Sequence, residues 1–382
     1  MTVLQELLDR GDRQGATAAA TTILSSKPTD GEALSALARL ALESGDVAAA
    51  KTHLARVGPR ERQLYEVLLA EAMVLQLSDQ ADAARLAFAQ LTAVHATRPE
   101  AFFALCLAQL EKQDAVNAEK ALATAVQLLP GHFLYRYRHA EALAQNGRFA
   151  DAAKELTKTI ELRPDFVRAY LAFARMLEAN GQAAQGLEIL AAGLGSMPTD
   201  RQLQAEQVRL RLASGDTAAL ANADLGIAEE LMRANAHEAA IEVCTQLEAS
   251  GKGSAKVSLV KALSYENTAR IDEALEAYSK AMAQDPKDWS AANNRGLLLL
   301  EEYQDVPAKL AEAKATLEEA VKRAAGKVAD PLLNLALLHG SQKEYAQGIA
   351  LAKQVAAHPQ AGALKAQAEK MVASMEKAAK SA

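Results

Sequence analysis

The chain has 382 residues, half of them hydrophobic but only 4% aromatic, so alanine and leucine supply much of the apolar surface. Both residues favour helices, and no stretch alternates apolar and polar residues as a half-buried strand does, so we predict an all-helical protein. The formal net charge of −6 argues against nucleic acid as a partner, because such binding depends on a basic surface.

The sequence also bears on the compartment. No run of about 18 apolar residues predicts a membrane span, and the N-terminal sequence MTVLQELLDRGDRQ lacks the apolar run of a signal peptide. The two cysteines, Cys106 and Cys244, form neither a metal-ligand pair nor a disulfide framework, which favours a reducing compartment. We therefore expect a cytoplasmic protein with no membrane partner.

Small or short apolar residues recur every 34 residues along the first half of the chain. A second series of mostly small residues follows the first after 12 residues, a turn signal lies seven residues after the first series, and prolines close several units. The first series is Ala38, Ala72, Cys106, Ala140, Ala174 and Val208. The second series is Ala50, Ala84, Ala118, Ala152, Gly186 and Leu220. The turn signals are Gly45, Asp79, Gly147, Gly181 and Gly215, with Gln113 as the exception.

This spacing predicts a repeated helix–turn–helix unit. A first helix ends where glycine can adopt the left-handed conformation, and a second helix stops near a proline that cannot continue it. Small residues allow the paired helices to approach closely. Because one pair cannot bury its own apolar face, successive pairs must stack.

The repeat resembles the tetratricopeptide repeat. The best matches are AEALAQNGRFADAAKELTKTIELRPD, from Ala140 to Asp165, and VKALSYENTARIDEALEAYSKAMAQDP, from Val260 to Pro286. The resemblance implies a right-handed superhelical solenoid of about ten to eleven repeats, or about 20 to 23 helices. It also implies a protein that binds other proteins rather than one that catalyses a reaction.

The repeat loses its phase in the middle of the chain. The series of small residues restarts at Ala228, 20 residues after Val208, and continues at Ala262 and Gly296. The segment DTAALANADLGIAEELMRAN is therefore predicted to form one longer helix or a shortened pair. We predict a joint here that divides the array into 1–216 and 217–358; the alternative is an irregular repeat without a change of direction.

Two further departures lie towards the C-terminus. Five extra residues separate Gly296 from Ala313, and Pro307 is predicted to lie in the first turn of the helix that follows. A last helix within 359–382 has an apolar stripe on one side and lysines on the other, which predicts a capping helix. Its stripe consists of Leu364, Ala368, Met371 and Met375.

No arrangement of residues predicts catalysis. The seven histidines show no metal-binding spacing, and no nucleophile elbow or dinucleotide-binding glycine pattern is present. Gly251-Lys252-Gly253-Ser254 lacks the upstream glycine and the strand of a phosphate loop, and we interpret it as a linker. Both cysteines are expected in the core. We therefore predict no catalytic residue, no metal and no cofactor.

The resemblance suggests one set of partner-binding residues. In such repeats the first helices line the concave surface, and the residue two before the small one points into it. Asn294 and Asn334 occupy that place in successive units, and Asn293 lies beside Asn294. Asparagine offers both a donor and an acceptor to a peptide backbone. The alternative is an ordinary polar helix surface.

The second set is aromatic and basic. Tyr137 and Arg138 lie on one first helix, Arg168 and Arg175 on the next, and Phe103 on the preceding one. Tyrosine and arginine are favoured at binding hot spots, and arginine binds a carboxylate through two hydrogen bonds. This predicts a protein or peptide partner with an acidic segment or a C-terminal carboxylate. The alternative is that these arginines are simply solvated.

Two functions are consistent with these patterns. The first is a protein–protein interaction scaffold or adaptor that binds peptides or protein surfaces in its concave groove, with a monomer favoured. The alternative is a regulatory subunit that senses a ligand or peptide and changes the shape of the superhelix, in which case the phase break is the hinge.

Overall fold

The computed structural model describes residues 2–381. Over that range the chain forms 22 α-helices and two 3-10 helices, with no strand. The prediction of an all-helical protein with about 20 to 23 helices is therefore confirmed.

The helices divide between two compact units, Met1–Met197 and Pro198–Ala382. The division of the array at residues 216 and 358, and a hinge at the phase break, remain predictions. The first unit contains α1 (Val3–Asp9), α2 (Arg13–Ser26), α3 (Gly31–Glu43), α4 (Val47–Ala55), a 3-10 turn (Pro59–Glu61), α5 (Tyr65–Leu77), α6 (Ala81–Val94), α7 (Pro99–Glu111), α8 (Ala115–Leu128), α9 (Phe133–Gln145), α10 (Phe149–Leu162), α11 (Val167–Ala179) and α12 (Ala183–Ser196).

The second unit also consists of helix pairs, with three departures: a 3-10 turn in place of one second helix, a longer α19 and an additional C-terminal helix, α22. It contains α13 (Arg201–Ala213), a 3-10 turn (Thr217–Asn222), α14 (Leu225–Arg233), α15 (His237–Ala249), α16 (Ala255–Asn267), α17 (Ile271–Gln284), α18 (Ser290–Glu302), α19 (Pro307–Ala324), α20 (Asp330–Ser341), α21 (Tyr345–Ala357) and α22 (Leu364–Ser381).

The small residues lie where paired helices meet. Members of the first series are among the least exposed residues of the chain, at 0 or 1% exposure for the five from Ala38 to Ala174. Large apolar side chains four residues after the second series are also buried and fill the space between neighbouring pairs. These are Leu54, Phe88, Leu122, Leu156 and Leu190.

The turn within most pairs has one backbone conformation. Outside the α18–α19 pair, where Tyr303 has a φ of −125°, the residue seven after the small one has a positive φ whether or not it is glycine, as in Gly147 at 74° and Gln113 at 57°. The second helix then begins two residues later, and an aspartate accepts a hydrogen bond from its first turn in several pairs. Asp46, for example, accepts from the backbone N–H of Ala49 at 2.8 Å.

The phase break is a shortened pair, one of the two forms that the sequence predicts. After α13 the chain makes only the six-residue 3-10 turn Thr217–Asn222 before the next first helix, α14, begins at Leu225. Ala219 and Ala223 of this stretch are buried against Ile227 and its neighbours, so the turn contributes to the core of the second unit.

Two features distinguish the C-terminal region, and the role of its last helix as a cap remains a prediction. Pro307 is the first residue of α19, where its missing N–H has no partner to lose. In α22, Ala368 and Met375 are buried and pack towards α20 and α21. Met375 fits against two glycines, since a Cβ added to Gly340 or to Gly348 would lie 2.4 or 2.7 Å from its side chain.

One core position carries a polar residue without an evident partner. Gln109 of α7 is 8% exposed, and within the described residues its Oε1 accepts no hydrogen bond. One repeat earlier and one repeat later, the equivalent residues are Leu75 and Leu143. A buried polar atom without a partner costs about 1 to 3 kcal/mol, so this position weakens its pair.

We therefore expect Gln109→Leu to raise the free energy of unfolding by about 1 to 2 kcal/mol, because it removes the unpaired amide and restores the leucine of the neighbouring repeats. Urea denaturation followed by circular dichroism measures the change. The control is Gln185→Leu on the exposed face of α12, for which about 0.5 kcal/mol or less is expected. Equal effects at the two positions would show that Gln109 carries no such penalty.

Candidate functional site

The three predicted asparagines form one hydrogen-bonded chain, called here the asparagine cluster. Asn293 and Asn294 lie on α18 and Asn334 lies on α20, the next first helix. The Nδ2 of Asn334 donates to the Oδ1 of Asn293 at 2.9 Å, and the Nδ2 of Asn293 donates to the Oδ1 of Asn294 at 3.2 Å. Asn293 is only 6% exposed and is therefore the link between the other two.

A buried tyrosine, Tyr278, bonds to one end of the asparagine cluster. The side chain of Asn294 bonds to the hydroxyl of Tyr278, and that hydroxyl donates to the carboxylate of Glu266. Burial, with the hydrogen bond to Glu266, holds the pKa of Tyr278 above its ordinary value, so this hydroxyl stays a donor. Asn334 is half-buried, and within the described residues its Oδ1 accepts no hydrogen bond, which leaves that oxygen available to a donor.

Two residues of the aromatic and basic set line a common pocket of about 220 Å³ in the first unit. Phe103 contributes from α7 and Arg138 from α9, two consecutive first helices. We call it the Phe103 pocket, and its other lining residues are Cys106, Leu107, Leu110, Leu122, Glu141, Ala142 and Gln145. The pocket thus has an apolar wall on α7 and a polar wall on α9 that includes Arg138, Glu141 and Gln145.

Arg138 forms an ion pair with Glu141 on the same helix. Its guanidinium donates to Glu141 at 2.8 Å, and the carbon atom of the guanidinium lies 5.7 Å from the centre of the Tyr137 ring. Because this ion pair is partly exposed, it stabilises the fold by little and can be exchanged for a contact with a ligand.

Tyr137 connects the pocket to the next first helix. It is buried and makes an edge-to-face contact with Phe166 at 5.1 Å between ring centres. Burial raises the pKa of Tyr137, its hydrogen bond to Glu141 raises that pKa further, and the charges of Arg138 and Arg168 act in the opposite direction. Arg168 is therefore close enough to act on the same ring. It is exposed, and no ion pair within the described residues joins it to a carboxylate.

Arg175 lies farther along the same helix. It is exposed on α11, seven residues or about two turns beyond Arg168. The structure thus brings Phe103 and Arg138 into one pocket, with Tyr137 in contact with Arg138, whereas Arg168 and Arg175 lie on α11 and do not line that pocket.

Aromatic rings make the walls around this site rigid. Phe103 contacts Tyr135 at 5.1 Å between ring centres, and His132 stacks on Tyr135 at 3.8 Å. Phe133 meets Phe166 edge to face at 5.1 Å. Such pairs contribute about 0.5 to 1.5 kcal/mol beyond the area that they bury. The Phe103–Tyr135 contact therefore holds α7 against α9, and the Phe133–Phe166 contact holds α9 against the start of α11.

Leu107, Leu110 and Glu141 also line the pocket, although none of them was predicted from the sequence as a site residue. Leu107 and Leu110 are 43% and 37% exposed, unusual values for leucine in a repeat core. With Phe103 they form an apolar stripe at helical spacing, which is the signal that could have indicated them. Because α7 is apolar on several sides, that stripe is not distinguishable from a core-facing one by sequence alone.

The described residues offer few groups for metal binding, membrane insertion or thiol chemistry. No group of three or more histidine, cysteine, aspartate or glutamate residues in the described part of the chain is arranged to hold a metal ion. None of the described helices is both long and apolar enough to cross a membrane. Cys106 and Cys244 are buried free thiols, as predicted, and burial raises the pKa of each to about 12.

These features define a class, the helical repeat proteins, whose stacked helix pairs present extended surfaces for binding. Sequence models of the tetratricopeptide repeat match residues 7–72 and 143–210, and a further one matches residues 259–304. The chain belongs to the tetratricopeptide repeat family. Its repeats are of a kind that mediates protein–protein interaction.

Individual relatives share the repeat at low identity. The Protein STIP1 homolog of Dictyostelium discoideum is 34% identical over 98 residues, and the match covers 25% of this chain and 17% of that protein. A tetratricopeptide repeat protein from Parabacteroides merdae is 15% identical, with a TM-score of 0.45, over 76% of this chain and 98% of its own. YrrB, described as a TPR protein with an unusual peptide-binding site, is 16% identical, with a TM-score of 0.42, over 52% of this chain and 99% of its own.

The raised pKa values predict unreactive thiols. Only the thiolate attacks a disulfide reagent, and a thiol with a pKa of about 12 stays protonated at pH 8. We expect Cys106 and Cys244 to react with such a reagent on the order of 100-fold or more slowly than the same thiols in the unfolded chain. Absorbance kinetics with and without guanidinium chloride measure both rates, and fast labelling of the folded protein would contradict the burial of these thiols.

Proposed function

We propose that the chain is a non-catalytic protein–protein interaction scaffold that binds a peptide or a protein surface along its first helices. The observation that carries the proposal is the Phe103 pocket, where exposed apolar side chains of α7 face the Arg138–Glu141 pair of α9. Large apolar groups at the surface of a soluble protein mark sites of interaction when they are grouped and bordered by polar residues.

The pocket suits one apolar side chain of the partner. Its volume of about 220 Å³ and its lining by Phe103, Leu107 and Leu110 favour an aliphatic or aromatic anchor. Complete burial of such a side chain contributes about 1.5 to 3 kcal/mol. Because ring contacts already hold the walls, little ordering of the pocket opposes that gain.

Acidic groups of the partner would lie towards α11. Arg168 is exposed beside Tyr137 and has no carboxylate partner within the described residues, and Arg138 can exchange Glu141 for a carboxylate of the ligand. Arginine binds a carboxylate with two parallel hydrogen bonds. The proposed ligand therefore has an apolar anchor followed by an acidic residue or a C-terminal carboxylate.

The asparagine cluster would provide a second contact, in the second unit. Its internal hydrogen bonds fix the amide of Asn334 through Asn293, and the Oδ1 of Asn334 can accept from a backbone N–H of an extended segment. Fixing a polar group before binding lowers the entropy lost when the partner arrives.

A cytoplasmic, monomeric protein is part of the same proposal. Two free thiols, both buried, fit a reducing compartment. The net charge of −6 opposes self-association of like-charged copies.

The test is affinity capture from lysate with quantitative mass spectrometry, comparing the native chain with Leu107→Asp and with Arg168→Glu. For a partner that uses the Phe103 pocket, we expect Leu107→Asp to reduce capture about tenfold, since a buried charge replaces an apolar contact. We expect Arg168→Glu to reduce it about three- to tenfold through the lost ion pair.

The matched control is Leu86→Asp, because Leu86 is 60% exposed on α6 and lies outside the pocket. Circular dichroism establishes that each variant is folded. If every captured protein responds to Leu107→Asp no more than to Leu86→Asp, the pocket is not a binding site.

A further inference from the structure

The pair that begins with α13 lacks most of its second helix. The second helices α8, α10 and α12 each have 14 residues, whereas α13 is followed by a 3-10 turn of six residues. The sequence shows the same loss, since the step from Val208 to Ala228 is 20 residues in place of 34. The missing 14 residues equal one second helix.

The missing helix changes which elements are neighbours. α13, a first helix, packs directly against α15, the second helix of the following pair. In a regular pair, the pair's own second helix lies between these two elements.

An open groove of about 360 Å³ lies at this place, and we call it the α13–α15 groove. Its apolar side chains are short, apart from one leucine, and two glutamates of α15 border it. The apolar residues are Leu212, Ala213, Ala236 and Ala239, and the glutamates are Glu238 and Glu242. Small side chains at a helix seam are what allow another helix to approach closely.

The uncompensated charge of this groove is negative. Glu242 is exposed and forms no ion pair within the described residues, and the only cation near Glu238 is Arg270 at 3.6 Å, in an exposed pair of little strength. Arg209 also borders the groove, but it is bound to the buried carboxylate of Glu206 at 2.9 Å. A ligand with lysine or arginine at its edge would therefore be favoured.

A buried polar atom is also without a partner here. The Nδ1 of His237, which lines the groove, is buried and forms no hydrogen bond within the described residues. Buried polar groups in folded proteins are almost always paired. The same holds for the Nδ1 of His53 and of His139, which lie outside the groove, so this atom does not by itself indicate a ligand.

We propose that the α13–α15 groove receives an amphipathic helix of a partner protein, laid where the second helix of this pair is missing. The helix has a face of small and medium apolar residues, and basic residues opposite Glu238 and Glu242. This site is separate from the Phe103 pocket, so either proposal can fail without the other.

The probe is a labelled peptide derived from α17, a complete second helix of this chain, with Asp272→Lys, Glu273→Lys and Glu276→Lys to oppose the acidic border. Fluorescence anisotropy with the full chain measures its binding, and the unmodified α17 peptide is the reference. We expect the basic peptide to bind at least fivefold more tightly than the reference, and Glu242→Lys to weaken its binding at least fivefold. The matched control, Glu318→Lys, is an exposed change of the same charge on α19 and should have less than a twofold effect.

A second measurement locates the peptide. Ala213 is the last residue of α13, and Ala179 is the equivalent last residue of α11, 34 residues earlier; both are exposed. A peptide with a chloroacetyl group should cross-link to Ala213→Cys, which lines the groove, and not to Ala179→Cys, which lies outside it. The native thiols are buried and should not react with the peptide.

The proposal would be overturned if the basic peptide did not bind, or if Glu242→Lys and Glu318→Lys weakened its binding equally. It would also be overturned by cross-linking at both introduced cysteines, or by a loss of binding with Leu107→Asp alone. The last of these would place the peptide in the Phe103 pocket. Analytical ultracentrifugation tests for one further occupant. If the chain self-associates and Glu242→Lys abolishes that self-association, a second copy of the chain occupies the groove, and the proposal of a partner protein is overturned.

Discussion

The close approach of two helices at one small residue is the contact on which this structure depends. Ala72, Ala140 and Ala174 are fully buried where first and second helices meet. At Gly296 the constraint is tighter, since an added Cβ would lie 2.6 Å from the Cγ of Leu317. A larger residue at such a place would separate the pair and disturb its neighbours, and overpacking of this kind costs about 1 to 3 kcal/mol. The stacking of pairs, and with it every surface between first helices, follows from this contact.

The spacing of small residues was sufficient to predict the pairs because a turn of fixed length joins the helices. Even Gln113, which departs from the glycine pattern, adopts the left-handed conformation at φ 57°. A non-glycine residue in that conformation costs about 1 kcal/mol, so the packed helices on either side impose it. The phase break could be located in the sequence by the same arithmetic. That arithmetic does not reveal that α13 and α15 contact each other beside an open groove, because the spacing of small residues does not specify the packing around a shortened pair.

The candidate sites were less predictable than the fold. Position within the repeat was enough to select Asn294 and Asn334, and their amides do belong to one cluster. The sequence could not show that Asn293 is buried between them, nor that Glu141 faces Arg138 inside an apolar pocket. Both facts depend on the rotation of one first helix against the next. Phe103 and Arg138 thus border a pocket with one apolar wall and one polar wall, which changes the proposed ligand from a purely acidic segment to one with an apolar anchor.

Hydrogen exchange measured helix by helix on Ala140→Leu tests the central claim most directly, with Ala179→Leu at the exposed end of α11 as control. If small residues hold each pair and pairs contact only their neighbours, exchange should increase in α8 to α11 and remain unchanged in α3 and α4. The control should behave like the native chain. An equal increase in every helix, or no increase in α9 and α10, would contradict the claim that this contact supports the repeat array.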